Sequence, residues 1–181
     1  MTRLSLLKIV FVFLILFLAI FLSYFGKYDS KEKGKKAFPN IIEDMYNVTK
    51  ISIENRNGEY LLSRKTNGTG FFLEGYENYP ADIKKINNFF LALSTSKLLD
   101  KKTTNSNSLF KLGLNYPFSN YEESLRIKLF LGDTVSYDFI VGKKYNNKIP
   151  SDVNYFRNFK NNELWLLKNN INVPNEELSW V

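Results

Sequence analysis

The spacing of apolar residues changes along this chain. From Ile9 to Phe25 they run unbroken by charge (IVFVFLILFLAIFLSYF), from Val48 onward they alternate with polar residues over short stretches, and from Ile83 to Leu93 they recur at helical intervals. The unbroken run predicts an apolar helix about 25 Å long, or about 33 Å if it reaches back to Leu4, enough to cross a bilayer with Lys8 snorkelling at its end. A cleaved signal peptide would need a shorter apolar core followed by small residues in an A-x-A-like order. Here the run closes on Ser23-Tyr24-Phe25-Gly26, which fits an uncleaved signal-anchor better. Ile9, Val10, Phe11, Leu14, Leu18, Phe21 and Phe25 are the expected anchor residues.

Beyond the run, period-two alternation predicts strands. Val48–Glu54 turns at Asn57-Gly58 into Tyr60–Arg64, and a second Asn-Gly at Asn67-Gly68 leads to Phe71–Glu74. Tyr79-Pro80-Ala81-Asp82 opens a helix whose apolar face is Ile83, Ile86, Phe90 and Leu93. Lys97–Asp100 reads as a short extended piece, Lys101 to Ser108 as a loop, and Leu109–Leu114 as one helical turn closed by Gly113. Leu125, Ile127, Leu129 and Leu131 then alternate with Arg126 and Lys128, and Gly132-Asp133 turns the chain into Tyr137–Val141. Tyr155–Phe159 and Leu164–Lys168 follow, joined by a turn at Asn161-Asn162. The predicted fold class is α+β: an N-terminal transmembrane helix, then two antiparallel β-meanders separated by one amphipathic helix. Residues 1–26 are the expected membrane anchor, 27–37 a Lys-rich spacer and 38–181 a mostly-β globular domain long enough for its own core.

Charge adds a restriction. The formal net charge is +7. Arg3 and Lys8 precede the run, Lys27, Lys31, Lys33, Lys35 and Lys36 follow it, and the remainder is close to neutral. Basicity gathered beside an apolar run suits anionic lipid headgroups, and a near-neutral domain argues against nucleic acid. For orientation, the richer C-terminal flank would keep the domain cytoplasmic, whereas the short basic start is that of an exporting signal-anchor.

Candidate chemistry is sparse. The chain has neither Cys nor His, which removes thiolate nucleophiles, imidazole bases, disulfides and most transition-metal sites. Glu122-Glu123 would point to opposite faces of an extended segment, and Asp133 and Asp138 read as solvated hairpin acids. Gly68-Thr69-Gly70 lacks the Gly-Lys-Ser/Thr of a phosphate loop. No catalytic residue, cofactor or metal is expected. Aromatic residues make up 16% of the chain and mostly suit a core; Tyr116, Trp165 and Trp180 are the candidates for an exposed patch that meets a partner.

The segment Gly75 to Thr103 (GYENYPADIKKINNFFLALSTSKLLDKKT), with Leu109 to Leu114, Leu125 to Lys144, Asn154 to Asn158, Leu164 to Pro174 and Phe38 to Ile53, resembles a bacterial family called domain of unknown function 4340. The likeness includes the N-terminal run. It implies a membrane-tethered, mostly-β domain associated with auxiliary components of ABC transport systems, with no catalytic residue attributed. It also favours export, placing the domain on the periplasmic side of an inner or plasma membrane. Longer members continue after the Trp that matches Trp180, whereas this sequence stops at Val181.

Two functions follow. One is a membrane-anchored, non-enzymatic binding or scaffolding domain whose partners are the lipid bilayer and a membrane protein of a transport system. The other is an extracytoplasmic domain that binds a small ligand, lipid or glycan in an aromatic-lined groove between the two meanders.

Overall fold

The computed structural model describes residues 11–18, 20, 31–65, 70–77, 79–102, 104–116, 124–145, 152–169, 171, 173, 174 and 176–181. The chain forms two compact units, Met1–Lys31 and Glu32–Val181. In the first, residues 11–18 are helical, with Phe11, Leu14 and Leu18 exposed. Among the described residues no helix is long and apolar enough to cross a membrane. The expected transmembrane helix and the single-pass membrane localisation are corrected accordingly. Apolarity alone favours insertion, but crossing also needs about twenty residues of continuous helix. Ile9, Val10, Phe21 and Phe25 lie outside the described residues.

The second unit is predominantly β. Its strands are β1 (Val48–Asn55), β2 (Gly58–Arg64), β3 (Phe71–Leu73), β4 (Tyr79–Pro80), β5 (Lys97–Lys102), β6 (Leu125–Leu131), β7 (Thr134–Lys144), β8 (Val153–Asn158) and β9 (Glu163–Lys168). They form one 9-stranded sheet in the order β4-β3-β2-β1-β6-β7-β8-β9-β5, with every pairing antiparallel. The expected α+β arrangement of two separate meanders is therefore corrected. β1 pairs directly with β6, as Ile53↔Ile127 and Ile51↔Leu129, and leaves no groove between them. β5 crosses over to pair with β9. Alternation identifies strands but is silent on which strands pair, because pairing needs only matching apolar faces.

Both sheet edges are partly blocked against further pairing. β4 is short and carries Pro80, which has no N–H to donate. Beyond β5, Gly34 N–H bonds Leu98 O at 2.7 Å and Leu98 N–H bonds Lys35 O at 3.0 Å, so the end of the Lys-rich stretch is attached to the sheet.

The inner face holds the main core: Ile51, Ile53, Leu62, Leu73, Ile127, Leu129, Phe139, Phe156 and Trp165 from the strands. The helices α1 (Ile41–Asp44) and α2 (Ile83–Thr95) supply Ile41, Ile86, Phe89, Phe90 and Leu93 to the same core. Asp82 caps α2 by accepting from Lys84 N–H at 2.8 Å. Ile83, expected on the apolar face, is 60% exposed, and Phe89 takes its place.

On the outer face a smaller cluster of Leu114, Ile140 and Leu164 lies near α3 (Ser106–Leu112). α3 starts inside the stretch read as a loop, because Asn105 Oδ1 accepts from Ser108 N–H at 2.7 Å. It stops at Gly113, whose φ of +70 favours glycine. A Cβ on Gly142 of β7 would sit 2.5 Å from Leu112 O, so this glycine lets the helix end lie directly on the strand.

Candidate binding surface on the outer face of the sheet

Outward-pointing side chains on neighbouring strands form cross-strand rows. One row runs Glu59, Glu54, Arg126, Ile140, Arg157 and Leu164 across β2, β1, β6, β7, β8 and β9. The row beside it places Leu61, Ser52, Lys128 and Asp138 in register. In the first row acids stand toward β2 and guanidiniums toward β8, while in the second Asp138 stands on β7 between the two arginines.

Arg126 is the centre of this surface. Its Nε and Nη2 donate to Asp138 Oδ1 and Oδ2 at 2.9 and 2.7 Å, the bidentate geometry a guanidinium and a carboxylate share. Its guanidinium lies 4.3 Å from the Tyr116 ring centre and 4.2 Å from that of Phe159. The two rings meet edge to face at 6.0 Å. Tyr116 donates its hydroxyl proton to Glu54 at 2.8 Å. That bond raises the Tyr116 pKa, and the bond to Asp138 raises that of Arg126. Lys128 stands 3.8 Å from Glu54 and 3.7 Å from Glu59, and Glu59 in turn accepts from the buried Ser52 hydroxyl.

Arg157 approaches the Phe159 ring to 4.6 Å. Its Nε and Nη2 donate to Asn162 Oδ1 at 3.0 and 2.8 Å, and its Nη1 donates to Leu114 O at 3.0 Å. Both acceptors are neutral oxygens. Burial, with the nearby charge of Arg126, lowers the Arg157 pKa. Arg64, on the opposite face, is also held by carbonyls, but those of Met45 and Tyr46 follow α1 and carry its negative end.

The predicted patch residues are not brought together. Tyr116 is on the outer face and 38% exposed, whereas Trp165 and Trp180 are 1% and 0% exposed in the core. Trp165 points inward opposite Phe156 on β8. Trp180 lies edge to face on Phe89 at 5.9 Å and donates its indole N–H to the Tyr60 hydroxyl at 3.0 Å. Asp138, read as a solvated hairpin acid, is instead the partner of Arg126. Glu122 and Glu123 lie outside the described residues. Sequence reasoning passed over Arg126, Arg157 and Phe159. The outward phase of Arg126 was readable from its alternation with Leu125 and Ile127; its long-range partners were not.

Clefts border the sheet among the described residues. One, of about 340 Å³, is lined by Asn55, Asn57, Glu59, Tyr60, Glu176 and Glu177, among others. Another, about 610 Å³ and wide open, is lined by Lys101, Lys102, Thr104, Asn105, Asn161, Asn162 and Glu163. Among the described residues no three His, Cys, Asp or Glu side chains gather to hold a metal ion.

No family model, curated protein or solved structure matches this chain. The likeness to domain of unknown function 4340 rests on the sequence motifs alone.

Proposed function

We propose that the Glu32–Val181 unit is a non-enzymatic binding and scaffolding module that presents the outer face of its sheet to a protein partner. The observation that supports this most is the stack of Tyr116, Arg126 and Phe159 beside Arg157. Tyr and Arg are the side chains most enriched at interface hot spots. Here they are already fixed by Asp138 and Glu54, so little side-chain entropy remains to be lost on docking. Where α3 does not cover it, an exposed sheet face suits a protein surface better than a small ligand, which wants a concave site. The resemblance supplies the class of partner: a component of an ABC-type transport assembly.

Site-specific photo-crosslinking in the cells that make the protein tests this reading. A crosslinker at Phe130, on the outer face, is expected to give an adduct of discrete mass. One at Lys84, on the solvent side of α2, is expected to give none. Equal adducts from both positions, or none from Phe130, would remove the proposal.

A further inference from the structure

Two guanidiniums share the Phe159 ring, and they are held differently. Arg126 has a carboxylate, Asp138, on its Nε–Nη2 edge. Arg157 has, among the described residues, the Asn162 amide oxygen on the same edge and the Leu114 carbonyl on Nη1. A guanidinium carries five N–H donors and cannot be deprotonated in a protein. Among the described residues three of the five on Arg157 are used, all on neutral acceptors, which leaves two donors and the positive charge. The residue is half-buried, so the charge is only partly screened by water. Its orientation is fixed by three hydrogen bonds and an aromatic face. Asn162, which holds it, also lines the open cleft of about 610 Å³, where Thr104, Asn105 and Asn161 stand beside Lys102 and the Lys101–Glu163 ion pair.

We propose that Arg157 is an anchor for a carboxylate carried by an acidic segment of the partner protein, with the adjoining cleft accepting the residues that flank it. This rests on the docking surface proposed above and names the chemistry of its occupant. The donor left on Nη1 and the donor left on Nη2 can pair with two oxygens of an incoming anion, and the surroundings favour a carboxylate over a phosphate group. Phosphate sites typically add backbone N–H groups at a helix N-terminus or nest, and here the neighbouring strand amides are engaged in the sheet.

Titration of the ¹⁵N-labelled full chain with hexaglutamate at constant ionic strength tests the anchor. The Arg157 Nε–Hε signal and the amide signals of Tyr116 and Phe159 are expected to shift and saturate. Arg157→Gln removes the guanidinium. Asn162→Asp gives it an internal carboxylate, and Asp is among the residues that tolerate the φ of +55 found there. Each variant is expected to weaken hexaglutamate binding about tenfold or more, as loss of a charge-assisted hydrogen bond implies. The amide spectrum of each confirms that it is folded. Unchanged affinity in a folded Asn162→Asp variant would overturn the anchor. Tighter binding of inorganic phosphate than of hexaglutamate would overturn the carboxylate as its occupant. Failure here is separable from failure of the docking surface: Phe130 adducts that persist in Arg157→Gln would leave the surface standing without the anchor.

Discussion

On the inner face of the sheet, Leu129, Phe139 and Phe156 are buried against α2 and its neighbours; on the outer face, Arg126, Lys128 and Asp138 of the same strands are held to one another by charge and hydrogen bonds. Stability resides on the first face, and binding has room on the second. Apolar burial is non-directional and contributes about 1.5–3 kcal/mol per large side chain. Partly exposed ion pairs contribute about 1 kcal/mol or less each, but they fix side-chain orientation. The inner face therefore holds the fold, while the outer face can be altered with the fold intact.

Trp180 is the sharpest place to break that contrast, since it was read as a surface residue and is fully buried on Phe89. Trp180→Ala should destabilise the chain by about 3–5 kcal/mol. Tyr116→Ala, on the outer face, should cost no more than about 1 kcal/mol. Urea unfolding of both variants checks this, and comparable losses would erase the distinction between the faces.

The next effect in size is alkaline. Burial, the main cause, pushes the Tyr60 pKa up to about 12, above its ordinary value near 10. A raised folded pKa means that the folded state holds its proton longer than the unfolded chain does. The associated stability is complete below pH 10 and is lost as pH rises through 12, a decline of roughly 2–3 kcal/mol. Burial and Asp44 also raise the Tyr137 pKa, so its contribution has the same sign. Tyr60→Phe should be less stable than the parent at pH 8, because Trp180 N–H loses its acceptor. The gap should narrow toward pH 12. Unfolding midpoints measured from pH 8 to 12 check this, and parallel curves for the two proteins would reject the burial argument.

Local structure was largely legible in the sequence, and long-range structure was not. Period-two alternation placed β1, β2, β6 and β9 close to their observed bounds, and the Asn-Gly at Asn57-Gly58 marked its hairpin. The β1–β6 junction and the crossover of β5 to β9 depend on which apolar faces meet, and many pairings satisfy the same alternation. The apolar run from Ile9 was readable as composition, but not its extent as helix among the described residues. For the site, Tyr116 was the only patch residue placed on the surface. Tryptophan is amphipathic and serves cores and interfaces alike, so its type alone could not separate Trp180 from a partner contact. Arg126 and Asp138 sit across a hairpin whose bulge at Leu129/Phe130 sets their alignment, and no spacing rule anticipates that offset.

The smallest effects compare the two arginines by exchanging their partners. Asp138→Asn leaves Arg126 half-buried with a neutral acceptor, the condition in which Arg157 already exists. A charge-assisted bidentate pair becomes at best a neutral one, at a cost of about 1 kcal/mol. Asn162→Asp does the reverse, giving Arg157 a carboxylate on its Nε–Nη2 edge. Asn162 is exposed, so the gain should stay below about 1 kcal/mol and shrink as salt screens the new pair. Opposite signs at low salt, read from unfolding midpoints of the two variants, would fit a fold in which Arg126 is stabilised by its acid and Arg157 is left without one. If both variants destabilise equally, the neutral oxygens around Arg157 are already its best partners. Its uncompensated charge would then be a packing consequence with no vacancy for an incoming carboxylate.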